Sequence, residues 1–252
     1  MPSLKESTLI ANVLENCLPD IQCLSGDVAT FKFGDLFSAI RVASTEGHRK
    51  AASKLINNRY AWRGYGSGFT VDESPGQMTL VATVQPQGTP IGTLTVRLDS
   101  RDDGLMVDEL YHPEAQLLRS GGHRLCEIVK FAVEGTLSCV QLLGSLFHIG
   151  FIYAHRLNRC TDVLIEVTPQ HSTFYRRLLH FEAFGEERLN PRVNTRGVLL
   201  RLDLEHAAQQ ISQYGGRGGQ LFRTSAYAYA FSPKEERAIQ RRMTAEAAEA
   251  AA

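Results

Sequence analysis

The sequence has no surplus of charge of either sign: Lys plus Arg and Asp plus Glu number 27 each. No global field therefore draws the chain non-specifically to nucleic acid or to an anionic membrane, and a charged partner must be met by a local patch. Cysteine is scarce. The five, Cys17, Cys23, Cys126, Cys139 and Cys160, are odd in number and include no C-x-x-C pair, which suits a reducing compartment better than a disulfide framework and leaves zinc-finger spacing absent. Long uncharged runs are missing too. The most apolar stretch, around Val140 to Ala154, contains Gln141 and His148 and falls short of the ~20 residues of a membrane span. The N-terminus mixes Glu6, Glu15 and Asp20 with its apolar residues, unlike the basic start and apolar core of a signal peptide. These absences place the expected location in the cytoplasm, with no integral membrane segment and no nucleic-acid partner.

What is present is ample apolar sequence, 43% of 252 residues, enough to bury a substantial core. Leu9, Val13 and Cys17 recur at helical spacing and stop before Pro19, which predicts an N-terminal helical arm within 1–36. From 37 to 204 the pattern reads strand (37–42), helix (46–60), two hairpinned strands (78–84 and 90–98), strand (126–133), helix (138–157), strand (163–167), helix (172–180) and strand (198–202). That order predicts an α+β domain: a mixed, mostly antiparallel central sheet with helices on both faces. The core is expected to end near Leu204. Gly215, Gly216, Gly218 and Gly219 then read as a flexible hinge, and Ser232, Pro233 and Glu235 as the start of a C-terminal helical tail, giving a third region over 205–252.

Residues 124–134, RLCEIVKFAVE, are apolar enough for a buried strand, yet hold Glu127 and Lys130. Strand alternation puts residues three apart on opposite faces, so a shared site demands a β-bulge between them. A structural ion pair of Glu127 with Lys130, Arg97 or Arg124 is the alternative. Arg97, in the strand before, points away from that strand's apolar side.

The element order and FYRRLLHFEAFGEERL (174–189) resemble the GNAT N-acyltransferase superfamily and its A-x-x-(F/L)-Y-x-x-x-G-F ending, with His180 where Gly is usual. RLCEIVKFAV resembles the E-x-x-R-F-x-V core of acyl-homoserine-lactone autoinducer synthases and, more closely, the E-x-x-K/R-x-A-V strand of the related N-acyl amino acid synthases. NNRYAWRGYG (57–66), GTLTVRLDS (92–100), GLMVDELY (104–111) and the stretch 167–204 agree, so the resemblance runs from about 37 to 204. It implies transfer of a fatty acyl group to the α-amine of an amino acid, from the acyl-phosphopantetheine arm of acyl carrier protein or, as the lesser alternative, from acyl-CoA. A coenzyme-A-dependent N-acetyltransferase usually carries a Q/R-x-x-G-x-G/A loop whose backbone N–H groups hold the pyrophosphate. Here VEGTLSCVQLLGSL offers only Gly135, so no cofactor beyond the carrier-bound thioester is expected. An autoinducer synthase would carry a D-x-x-D-like acidic pair after Gly64, where only Asp72 and Glu73 stand. A non-catalytic acyl-binding relative is a fourth reading, against which Glu127, Lys130 and Arg97 together argue.

The resemblance implies roles for particular residues. Glu127 is the candidate general base, acting directly or through water, because a carboxylate in apolar surroundings has its pKa raised toward the working pH. Lys130 and Arg97 either orient the amino acid's carboxylate or hold Glu127 ionised; both roles stay open. Tyr175 occupies the position of a thiolate-protonating acid or is a packed aromatic beside Phe174 and Phe181. Arg59, Tyr60 and Trp62 match a segment that folds over substrate. Phe131, Phe147 and Tyr153 are further substrate-binding candidates, the last two on a helix whose leucines suit an acyl tunnel. His148 and His155 share a helix face but lack a third ligand, so no metal is expected. Carrier proteins are acidic, and Arg156, Arg159, Arg176 and Arg177 form the candidate dock.

Overall fold

A computed structural model describes residues 27–33, 36–85, 88–134, 140–217 and 225–250. The helix expected over 9–18, the turn at Gly135, and Gly218 with Gly219 lie outside these residues. The sheet is built from β1 (Ala29–Phe33), β2 (Leu36–Val42), β3 (Gln77–Gln85), β4 (Thr89–Leu98), β5 (Leu125–Val133), β6 (Asp162–Val167), β7 (Glu182–Ala183), β8 (Arg188–Asn190) and β9 (Thr195–Asp203). Their order is β1-β2-β3-β4-β5-β6-β9-β7, with β8 beside β9. Every pairing is antiparallel except β5 with β6. Parallel neighbours need a long crossover, and α3 (Val140–Phe151) supplies it.

Two layers of helix cover the sheet. On one face α1 (Glu46–Trp62) packs Ala52 and Ile56 against Val81 and Ala132, and α2 (Asp108–Ser120) packs Tyr111, Ala115 and Leu118 against Leu125 and Leu164. On the other, α3 is buried at all twelve positions and lies over Leu80, Leu94 and Val96, as a helix apolar over most of its surface must. Its approach is close: a Cβ on Gly92 would lie 3.2 Å from both Leu142 and Leu146. The turn that continues α3, Ile152–Leu157, is π-helical. α4 (Pro169–Leu179) ends on His180 at φ 61°, so this histidine adopts the left-handed conformation that glycine usually serves.

Four expectations are corrected. The sheet begins at Ala29, inside the segment assigned to a helical arm, because 29–33 pairs antiparallel with 36–42. A helix over 108–120 stands where none was predicted; Pro113 reads as a breaker, but it follows a kink at Tyr111 and so falls near the start of the second helical piece, where a missing N–H is tolerated. The core does not end near Leu204: α5 (Leu204–Tyr214) buries Leu204, Ala207, Ala208 and Ile211 at helical spacing, and Ala226–Phe231 is buried as well. Gly215 and Gly216 are not a free hinge. Gly216 N–H donates to the Ala230 carbonyl at 2.8 Å, and a Cβ on Gly215 would meet the Phe231 carbonyl at 2.9 Å, so the chain folds back tightly here. α6 (Pro233–Ala250) follows the anticipated cap, with Ser232 N–H donating to Glu235 at 2.7 Å, and buries Ile239 and Met243.

Candidate active site

β5 and β6 pair only from Leu125 to Glu127, opposite Asp162 to Leu164. Beyond that point β5 departs from regular geometry. Thr93 pairs with Ala132 and Thr95 with Val129, so three steps on β5 oppose two on β4, and Lys130 sits in the bulge at φ 51°. The extra residue breaks alternation where Glu127 and Lys130 require it. Lys130 feels the charges of Asp72 and of Arg97, and Arg97 is the cross-strand partner of Glu127. No ion pair within 4.0 Å joins Lys130 to Glu127 among the described residues.

Glu127 is 0% exposed. Its Oε1 accepts from Met106 N–H at 2.6 Å and its Oε2 from Val107 N–H at 3.1 Å, so the carboxylate sits at the N-terminus of α2, where a negative charge is favoured. Arg97 Nε stands 4.0 Å away and donates to the Gly104 carbonyl, while Arg97 Nη2 donates to the Asp103 carbonyl. Burial nevertheless dominates and pushes the Glu127 pKa up to about 7, against the pull of the two N–H groups, Arg97 and Arg192. Burial likewise lowers that of Lys130. The buried carboxyl is thus both the anchor of the 103–107 loop and an acid poised near neutrality.

A second carboxylate in this region was not anticipated. Glu166 follows Leu164 by two residues in β6 and so shares the face of Glu127. Both its oxygens accept from Asn190 Nδ2, at 2.8 and 3.0 Å. A Cβ on Gly197 would lie 2.2 Å from Glu166 Oε1, so any larger residue there would push the Glu166 carboxylate from its present place. Tyr111 donates to the Gly197 carbonyl at 2.9 Å, and burial followed by the Glu166 charge raises its pKa to about 12. The signal was legible: Glu166 is an isolated charge in the apolar run VLIEV, the same pattern that picks out Glu127.

Aromatic rings gather beside the splay. Phe131 meets Phe147 at 5.7 Å, Phe147 meets Tyr175 at 6.2 Å, and Tyr175 meets Phe181 at 6.2 Å. Burial raises the Tyr175 pKa well above that of a free phenol, and the charges of Tyr60, Arg63 and Tyr65 reach it. Arg59 and Trp62 stay apart from this cluster. Arg59 stacks over the Trp62 ring at 4.8 Å and lies 3.9 Å from Glu134, while Trp62 is 73% exposed. Tyr153, half-buried in the π-helical turn, lies near Cys126 and Cys160. Among the dock arginines, Arg159, Arg176 and Arg177 are exposed, whereas Arg156 donates to Glu236 at 2.8 Å and is committed to an internal contact.

An apolar cavity lies on the opposite face of β5. Cys126 and Ile128 line it, flanking Glu127, together with Val163 of β6 and Phe147 of α3. Strand alternation therefore sets the carboxyl and the cavity on the two sides of one strand. At its edge the buried His148 accepts at Nδ1 from Phe231 N–H at 2.8 Å, which leaves the ring proton on Nε2, facing Glu236. The described residues contain no group of three or more His, Cys, Asp or Glu able to hold a metal, and no helix long and apolar enough to cross a membrane.

The profile of the N-acyl amino acid synthase FeeM family matches residues 51–203. The structure of FeeM, an N-acyl amino acid synthase from uncultured soil microbes, is similar with a TM-score of 0.59 and 25% identity, covering 69% of this chain and 94% of that one. An acyl-CoA N-acyltransferase from Pseudomonas aeruginosa is similar at TM-score 0.48 and 16% identity, over 66% of this chain and 99% of that one. The acyl-homoserine-lactone synthase LasI gives 0.44 and 15%, over 66% and 90%. No curated protein sequence matches. The architecture is a mixed, mostly antiparallel sheet covered by helices on both faces, as the element order led us to expect.

Proposed function

The chain belongs to the N-acyl amino acid synthase FeeM family, and on that premise we propose that it moves a long-chain fatty acyl group from acyl carrier protein to the amine of an amino acid. The amine nitrogen attacks the thioester carbonyl, a C–N bond forms, and the C–S bond breaks as the tetrahedral oxyanion collapses. Glu127, with its pKa about 7, takes the amine proton. Each of its oxygens already accepts one main-chain N–H and the side chain is fully buried, so the proton travels through water rather than by direct contact. Arg97 and Lys130 hold the amino acid's carboxylate beside it. Tyr175, kept neutral by burial, returns a proton to the departing thiolate. Phe131 and Phe147 form the mouth through which the acyl chain passes to the cavity behind β5. Arg59 and Trp62 cover the amino acid, and the exposed Arg159, Arg176 and Arg177 face the acidic carrier.

One observation carries this reading: just before the bulge of β5 an ionisable carboxyl on one face and an apolar cavity on the other belong to adjacent residues, Glu127 and Ile128. The experiment is mass spectrometry of lipids from a bacterial host overexpressing the protein, followed by assay of the purified chain with acyl carrier protein and with acyl-CoA donors. We expect an N-acylated amino acid to accumulate and the carrier-bound donor to be preferred. Absence of any acylated amino acid in cells and in vitro would refute the transfer, and equal use of both donors would refute the carrier preference.

A further inference from the structure

The family profile ends at residue 203, yet the cavity does not. Six of its lining residues come from beyond that point: Leu204, Ala207 and Ile211 of α5, and Ala226, Tyr227 and Ala230 of the turn that follows. Resting on the acyl-transfer reading above, we infer that this C-terminal segment is the end wall of the acyl site and sets the length of hydrocarbon the enzyme accepts.

The wall is fixed rather than draped. A Cβ on Gly144 of α3 would fall 2.6 Å from the Ala226 carbonyl and 2.9 Å from Tyr229 Cβ, so helix and segment meet with no room between them. Tyr227 donates to the Leu179 carbonyl at 2.8 Å. Phe231 stacks on His148 with centroids 5.6 Å apart and donates its N–H to the same ring. α6 is then clamped by Arg156, whose Nε reaches Glu236 at 2.8 Å. Three of the six wall residues are alanine, and each small side chain leaves space that a larger one would fill. Cavity depth is therefore decided by residues that make no contact with Glu127, Lys130 or Arg97.

The test measures chain-length preference by two routes: equilibrium binding of a series of saturated free fatty acids, and kcat/KM for the matching acyl-carrier donors. Ala207→Leu and Ala230→Val reduce the space from two different elements, and Ile211→Ala enlarges it. For the longest chain the native protein accepts, the two filling variants should lose about tenfold or more in affinity and in kcat/KM, as expected when a methylene is denied its place, while shorter chains are unaffected. Ile211→Ala should shift the optimum to longer chains. If folded variants acylate with an unchanged length profile, the end-wall assignment is wrong although acyl transfer stands. If fatty acids bind with a shifted length profile but no amino acid is ever acylated, the wall stands and the transfer reading falls.

Discussion

Glu127→Gln separates the two jobs assigned to this carboxyl. The side chain keeps its size but offers one acceptor oxygen to the two N–H groups of Met106 and Val107, and its amide nitrogen opposes the other. Leaving one buried N–H unsatisfied costs about 1–3 kcal/mol of stability. The native Glu127 also carries a pH-dependent burden. Its folded pKa of about 7 stands above its ordinary 4.5, so the folded state favours the protonated form, and stability falls as pH rises from 4.5 through 7. That difference is worth roughly 3 kcal/mol, from ~1.4 kcal/mol per pH unit. Glutamine lacks this burden, so denaturant titrations should show the variant's deficit narrowing with increasing pH. Activity should behave differently. Native kcat/KM should rise with pH and level off above about 7, and the variant should lose about 10²–10⁴-fold together with the inflection. A folded Glu127→Gln protein that retains native turnover, or keeps the same inflection, would refute the base assignment and leave only the anchoring role.

Tyr175→Phe removes the hydroxyl without disturbing its ring contacts to Phe147 and Phe181; we expect kcat to fall about 10²-fold with KM nearly unchanged, whereas native turnover would mark a packing aromatic. Reversing charge at Arg176 and Arg177 together should weaken use of the carrier-bound donor and flatten its salt dependence, while an acyl-pantetheine donor in the same assay is unaffected. Glu236 is held at about 2 by His148 and by Arg156; because this folded pKa lies below the ordinary 4.5, its contribution is present above 4.5 and is lost as pH falls toward 2, so limited proteolysis should release α6 early on acidification, and Glu236→Gln should make that release independent of pH across the same range.

The elements that were legible in the sequence are those with a clean period between breakers. α1 shows helical spacing before Gly64, β3 and β4 alternate around a short turn, and β5 announces itself by apolar content. The hidden elements had their signal contradicted locally. α2 contains Pro113, and α5 lies beside glycines that in isolation mean flexibility but here serve close packing against Ala230 and Phe231. The site divides in the same way. Glu127 could be found because a charge in an apolar strand is costly unless partnered. Its partners could not, because the N–H groups of Met106 and Val107 are main-chain atoms that any sequence supplies. Nor could the capture of Arg156 by Glu236, which lies 80 residues away and depends on how the tail folds back.

The alternation of β5 has a consequence for how such a protein can change. Cys126 and Ile128 look toward the apolar cavity, while Glu127 looks toward the helix dipole and the guanidinium of Arg97, so the strand acts as a bulkhead between a greasy compartment and a charged one. Substitutions can accumulate in the first compartment without altering the dielectric or the charges felt by a proton in the second. On the acyl-transfer reading proposed above, lipid selectivity and proton handling would be left free to drift independently, each tuned from its own side of a wall one residue thick.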